Sequence, residues 1–231
     1  MTTRTRLSKS KQKVKSANFG LWLIGASVLL VALGVGLVIL NNRPSPPVPS
    51  APIDLPAEWI NGKVLGDPAA TVTIHVWEDF LCPHCRDWTT KVEPQLFTEY
   101  IKTGKARLQF HLLPLQSFAP ASSMAGLAAE CAAEQNLFWQ YHDRLFAAQD
   151  QGQAGYREGG LIDMAQATGL DKTQFTQCLT NRKHQQTVDA SLQEAISLGL
   201  NSTPSLFVND QQITYPFDYP AIQTAIEQVS Q

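Results

Sequence analysis

Cys82-Pro83-His84-Cys85 sits where an apolar, β-branched run, Thr71 to Trp77, gives way to a helical pattern, Trp88, Val92, Leu96 and Tyr100. Two cysteines separated by two residues at a strand-to-helix turn can close a small disulfide. The first of them lies where unpaired backbone N–H groups favour a thiolate. The spacing points to redox chemistry. Half a zinc site has the same spacing, so the surrounding sequence has to decide between them.

Working outward, Thr71–Trp77 reads as a buried strand and Ala106–Leu113 as a second, with Leu108, Phe110 and Leu112 on one face. One helix, interrupted at Pro94, lies between them. The strand–helix–strand order predicts a parallel βαβ unit. The middle of the chain is helical: Met124, Leu127, Ala128 and Cys131 recur at helical spacing, as do Phe138, Tyr141 and Leu145. Leu161–Thr168, the set Phe175, Cys178 and Leu179, and the set Val188, Leu192 and Ile196 continue it. Gln149–Gly160, polar with four glycines, reads as a mobile loop. After Thr203-Pro204 the strands Ser205–Val208 and Gln212–Tyr215 form a hairpin through Asn209-Asp210. A last helix covers about Tyr219–Val229. The order βαβ, helical insertion (about 117–200), ββα predicts a three-layer α/β domain.

The other end of the chain speaks of location. Six basic residues, Arg4, Arg6, Lys9, Lys11, Lys13 and Lys15, precede an uncharged run from Phe19 to Leu40. At about 1.5 Å per residue such a run reaches the ~30 Å of a hydrocarbon core. Residues 1–18 read as a basic cytoplasmic tail and 19–40 as a transmembrane signal-anchor, with the N-terminus inside, the alternative being a secretory signal cleaved late, at Ser50-Ala51. Residues 41–57, holding Pro44, Pro46, Pro47, Pro49, Pro52 and Pro56, read as an extended linker, and 58–231 as the exported domain. From Asp54 onward there are 11 Lys and Arg against 20 Asp and Glu, a balance of −9, whereas the whole chain is near −2. An acidic domain argues against nucleic-acid binding.

The element order, with Cys-Pro-His-Cys opening the first helix and Thr-Pro before the third strand, resembles the thioredoxin fold. More narrowly it resembles the DsbA-like thiol-disulfide oxidoreductases, which carry a helical insertion in that fold. The segments that carry the resemblance are Gly66-Asp67-Pro68-Ala69, Asp79-Phe80-Leu81 ahead of the cysteines, Phe138-Trp139 with His142-Asp143 and Leu145-Phe146, and Ser202-Thr203-Pro204-Ser205-Leu206-Phe207-Val208-Asn209. The resemblance implies that Cys82 is the exposed nucleophile and Cys85 its buried partner. It makes Pro204 a cis-proline facing the disulfide, and Thr203 the residue whose backbone meets the substrate. The family commonly has a buried acid six residues before the first cysteine. Here that position is Val76, and Glu78, two residues on along the same strand face, stands as a substitute proton acceptor for Cys85.

A thiolate of low pKa is the better leaving group, and stabilising it favours the reduced enzyme, which makes the disulfide oxidising. His84 beside Cys82 adds a donor to the same end. The expected activity is donation of the Cys82–Cys85 disulfide to exported proteins, by a protein dithiol-disulfide oxidoreductase without cofactor or metal. The resemblance implies reoxidation by a quinone-coupled membrane oxidase of the DsbB or vitamin K epoxide reductase type. The alternatives are a reductase or isomerase, or a soft-metal module using Cys82, His84 and Cys85. Related isomerases dimerise through a separate domain, of which there is no sign, so a monomer is expected. Cys131 and Cys178 sit on apolar helical stripes, and in an oxidising compartment they read as a structural disulfide, the alternative being two buried free thiols. The remaining histidines, His75, His111, His142 and His184, read as core or surface residues.

Overall fold

The computed structural model describes residues 26–34 and 53–230. The basic tail, most of the expected span and most of the Pro-rich linker lie outside the described residues. Residues 26–34 are helical, and among the described residues no helix is long and apolar enough to cross a membrane.

Residues 53–230 are built on one six-stranded sheet in the order β1-β2-β4-β3-β5-β6. Its centre is β3 (Val72–Glu78) paired in parallel with β4 (Ala106–Leu112), from Val72 opposite Ala106 to Glu78 opposite Leu112. Between these strands run α1 (Pro83–Lys91) and α2 (Glu93–Leu96), which continues as a π-helical segment over Phe97–Ile101. The break falls at Val92, as the ring of Pro94 predicts. The sheet is extended by β5 (Ser205–Val208), antiparallel to β3, and β6 (Gln211–Ile213). The second strand of this hairpin ends at Ile213 and not at Tyr215, whose ring is 71% exposed and precedes Pro216. On the other edge a short hairpin, β1 (Ile60–Asn61) and β2 (Val64–Leu65), turns at Gly62 (φ +54°) and pairs with β4. Strands of two residues are too short to show any alternation, so the sequence gives no sign of them.

The insertion comprises α3 (Ala121–Ala133), α4 (Phe138–Ala147), α5 (Glu158–Thr168), α6 (Lys172–Thr180) and α7 (Gln185–Ser197). The chain closes with α8 (Tyr219–Val229), capped by the Asp218 carboxylate on the Ala221 N–H. Alternation along β3 separates two layers. Val72, Ile74 and Val76 join the main core with Trp88, Phe110 and Ile222, whereas Trp77 on the opposite face packs with Leu113, Ala195 and Leu200. α3 lies close on β4: a Cβ at Gly126 would meet Leu112 Cδ2 at 2.1 Å. Of the apolar set assigned to α7, Val188 is buried but Ile196 is 56% exposed, because the helix turns only one narrow stripe toward the sheet.

The stretch read as a mobile loop is structured. Ala148–Tyr156 forms 3-10 turns kinked at Gly152, and Tyr156 is buried with its hydroxyl donating to the Phe80 oxygen at 3.2 Å and the Leu145 oxygen at 2.7 Å. Its polar composition hides the one aromatic anchor that fixes it.

Candidate active site

The carboxyl end of β3 feeds a tight turn into α1, and this turn holds the two cysteines. Cys82 is the N-cap of α1 in extended conformation, Pro83 occupies the first helical position, and the Cys85 and Arg86 N–H groups donate to the Cys82 oxygen at 3.1 and 3.2 Å. The turn is braced from below. Cys82 N–H donates to the Asp79 oxygen at 3.0 Å, and Asp79 N–H points at Cys85 Sγ at 3.5 Å. The Asp79 side chain, fully buried, accepts from Leu81 N–H (2.8 Å), Leu115 N–H (2.7 Å) and the Ser122 hydroxyl. Burial raises the Asp79 pKa, while these donors hold it down. From the insertion, Gln149 Nε2 donates to the Phe80 and Cys82 oxygens at 2.8 and 3.0 Å. Ser122, Gln149 and Tyr156 are not among the residues the sequence singles out, and Asp79 stands there only as part of a flanking segment with no role of its own.

Both cysteines are free thiols here. The expected exposure of Cys82 is corrected: it is only 5% exposed, because Thr203 closes over it with its carbonyl oxygen 3.6 Å from Cys82 Sγ. The Thr203–Pro204 bond is cis, and both residues are buried. Cys85 is wholly buried. The Cys82 pKa is lowered to about 5, first by the hydrogen bond from the Cys85 thiol, against desolvation, and then by the Thr203 side chain and the backbone N–H groups of Cys85 and His84. Cys85 is pushed far above the ordinary thiol range by burial, and further by donating to Cys82 and by the charge of Glu78. The pair is therefore strongly unequal. His84, whose side chain is exposed, lends its main-chain N–H to this arrangement.

Glu78 ends β3 on the face it shares with Val76, fully buried, with neither carboxylate oxygen within hydrogen-bond distance of a partner. Its pKa is raised by burial, against the pull of His142. His142 comes from α4 and is itself fully buried. Its Nε2 lies 3.8 Å from Glu78 Oε2, and its Nδ1 lies 3.0 Å from the Asp143 carboxylate. Burial opposes the imidazolium, but the Asp143 and Glu78 carboxylates outweigh it and raise its pKa to about 10. Glu93, at the start of α2, completes the cluster, and burial pushes its pKa up to about 8. The phenyl rings of Phe80, Phe110, Phe138 and Phe146 surround the imidazole at 4.9–5.9 Å between centroids.

Among the described residues, three possible metal ligands converge at Glu78, Glu93 and His142 and at Cys131, Cys178 and His184, and not at Cys82, His84 and Cys85. Cys131 and Cys178 are joined, with an S–S distance of 2.07 Å, linking α3 to α6. His75 and His111 lie on the far face of the sheet beside Trp77, and His184 pairs with Glu134 at 2.8 Å.

The thioredoxin family model matches residues 59–228. The probable disulfide bond formation protein D of Bacillus anthracis is 30% identical over 67% of this chain and 72% of its own length. The crystal structure of oxidised BdbD from Bacillus subtilis superposes with a TM-score of 0.68 at 26% identity, covering 74% of this chain and 93% of that one. The sodium/proton antiporter NhaA 3 of Salinispora tropica is 31% identical over 75% of this chain but only 26% of its own length. The chain thus spans about a quarter to a third of the length of the antiporters it matches. The chain belongs to the DsbA-like thiol-disulfide oxidoreductases of the thioredoxin fold.

Proposed function

We propose that this protein is a membrane-anchored oxidase that donates the Cys82–Cys85 disulfide to exported proteins. The observation that carries the reading is the inequality of the two thiols. The Cys82 thiolate is held by donors at a helix N-terminus and has a pKa of about 5, while Cys85 is buried and held neutral. A reduced form so stabilised gives its disulfide away readily. In the forward reaction a substrate thiolate attacks Cys82 Sγ, the Cys82–Cys85 bond breaks, and its electron pair leaves on Cys85 Sγ, which takes up a proton. A second substrate thiolate then attacks the sulfur bound to Cys82, forming the substrate disulfide and expelling Cys82 as its stable thiolate.

In this reading Thr203 and Pro204 form the wall against which the substrate cysteine docks, His84 tunes Cys82, Glu78 handles the proton of Cys85, and Cys131–Cys178 is a structural bond that does not turn over. Residues 1–18 are the cytoplasmic tail, 19–40 the anchor, 41–57 the linker and 58–231 the catalytic domain. In the helix over 26–34, Val28, Leu29, Leu30, Val31 and Leu33 are each more than half exposed, which suits lipid better than water. The reoxidising partner is a quinone-coupled membrane oxidase of the DsbB or vitamin K epoxide reductase type, reached along the bilayer. Tethering both raises their effective concentration without any new contact. No cofactor is assigned, and the protein acts as a monomer.

The direct test is to mix the oxidised full-length protein with a reduced, unfolded client at equal concentration. The proposal expects client thiols to be lost as Cys82 and Cys85 become alkylatable. It also expects Cys85→Ser to accumulate a covalent client adduct on Cys82. A client left reduced at equilibrium would point to the reductase alternative.

A further inference from the structure

The buried cluster behind the cysteines extends farther than a single proton acceptor requires. Glu78, Glu93 and His142 are distant in sequence and meet in a cage of aromatic rings, where Glu78 Oε1 and Oε2, Glu93 Oε2 and His142 Nε2 are all buried without a hydrogen-bond partner. Leaving such groups buried and unpaired is costly, so an arrangement that does so asks for a use. The cluster also has an outlet. His142 turns Nε2 inward to Glu78 and Nδ1 outward to Asp143, whose side chain is 56% exposed.

We propose that His142 and Asp143 form a proton wire that connects Glu78, and through it Cys85, to solvent. This rests on the reading of Glu78 as the group that exchanges a proton with Cys85. When substrate thiolate breaks the Cys82–Cys85 bond, the electron pair arrives on Cys85 Sγ, and the Glu78 carboxylic acid gives it a proton. Glu78, now a carboxylate, takes the Nε2 proton of His142 as the unprotonated Nδ1 takes up one through Asp143, which draws it from water, so the ring passes from its Nε2–H to its Nδ1–H tautomer. No electron moves along this path, and one proton enters for each Cys85 thiol formed. On reoxidation every transfer reverses, and the Cys85 proton leaves by the same route.

The geometry explains why a wire is required here. Cys85 has no exposed surface, Glu78 has none, and Val76 occupies the strand position nearer the middle of the sheet, so neither the thiol nor its acid meets water directly. The charged or titratable groups facing Glu78 are Cys82 and Cys85 from the active-site turn, Glu93 from α2 and His142 from α4, and those facing His142 are Glu78, Glu93 and Asp143. Glu93 lies beside the path and is not a step in it. His142 and Asp143 touch neither sulfur and are positioning residues in this sense. They set the rate at which Glu78 is reset, and leave the equilibrium between thiols and disulfide unchanged.

The experiment is rapid-mixing reduction of the oxidised full-length protein by dithiothreitol, from pH 5 to 9, with Cys82–Cys85 thiols counted after acid quench and alkylation. Glu78→Gln and His142→Gln should each slow reduction about 10²-fold near pH 7, in the range of general acid catalysis, and the double variant should be no slower than either alone. Asp143→Asn, a surface change that keeps the carbonyl acceptor, should slow it several-fold and shift the pH profile, which keeps the proposal testable if His142→Gln fails to fold. The equilibrium constant against glutathione should stay within threefold in His142→Gln and Asp143→Asn, so failure of the oxidase reading, seen in that constant for the parent protein, is separate from failure of the wire, seen in the rates. Multiplying effects of Glu78→Gln and His142→Gln, an Asp143→Asn profile identical to the parent, or a stoichiometric metal ion in the purified protein that is lost in Glu93→Gln would overturn it.

Discussion

The buried carboxylate of Asp79 receives the hydroxyl of Ser122 at 2.7 Å from one oxygen and 2.6 Å from the other. This contact joins the redox turn to the first helix of the insertion. The same carboxylate holds the Leu81 and Leu115 N–H groups, so one side chain ties the strand end, the turn and the insertion together.

Asp79→Ala would leave these donors buried and unpaired, at about 1–3 kcal/mol for each. The expected loss of stability is about 3–5 kcal/mol, measured as a lower urea midpoint, with Ser122→Ala costing about 1 kcal/mol. Full stability in Asp79→Ala would mean that the insertion is held to the turn by apolar packing alone.

The bond between Cys131 and Cys178 closes a separation of 47 residues. In the chain-entropy description such a loop is worth about 4 kcal/mol. Cys131→Ala with Cys178→Ala should lower stability by that order and leave the rate of Cys82–Cys85 exchange intact at a temperature where the variant is folded. A proportional loss of exchange activity would show that this bond takes part in turnover.

The pH dependence of stability separates the redox states. The Cys82 pKa is depressed to about 5 when folded, against about 8.5 in an unfolded chain. Its contribution is therefore absent below pH 5, grows as pH rises from 5, and is complete near 8.5. Above that, Cys85 acts in the opposite sense, since its folded pKa is raised and the unfolded thiol ionises first. The reduced protein should gain stability over the oxidised protein from pH 5 to 8 and lose the gain at higher pH. Urea midpoints of both forms at each pH check this, and a difference independent of pH would remove the thiolate from the account.

His84 divides into two parts. Its N–H supports the Cys82 thiolate and survives any substitution other than proline, while its ring is exposed. His84→Ala keeps that N–H and should therefore raise the Cys82 pKa only slightly above about 5. Thiolate absorbance during a pH titration gives the value. No change would confine the role of His84 to its backbone.

How much of this was legible in the sequence follows from how local each signal is. Cys82, Cys85, Thr203 and Pro204 sit in short segments whose spacing and flanks are informative by themselves, and the parity of β3 places Glu78 on the face of Val76 before any coordinates are known. Asp79, Ser122 and His142 gain their meaning only from partners that the insertion brings to them across 43 residues or more. No periodicity records that meeting, so His142 reads as one more core histidine. The Gln149–Gly160 stretch misleads for a related reason. Its glycines and glutamines resemble a loose loop, while Tyr156 and Gln149 reach back to the backbone of Phe80 and Cys82. The two-residue strands β1 and β2 are visible only through their pairing with β4.

The anchor makes its own prediction. If residues 19–40 span the bilayer and are retained, the full-length protein should stay with membranes through alkaline carbonate washing. Protease added from outside should then digest the domain after residue 57 and spare the basic tail. Release by carbonate would put cleavage of the N-terminal segment, near Ala51, in place of the anchor.

The central claim is that the thiols are unequal enough to make this disulfide an oxidant. Equilibration of the full-length protein with glutathione redox buffers at pH 7, followed by alkylation and counting of the Cys82 and Cys85 thiols, measures it directly. The account predicts a potential between about −120 mV, the DsbA value, and about −180 mV, that of protein disulfide isomerase. A value near −270 mV, that of thioredoxin, would contradict it.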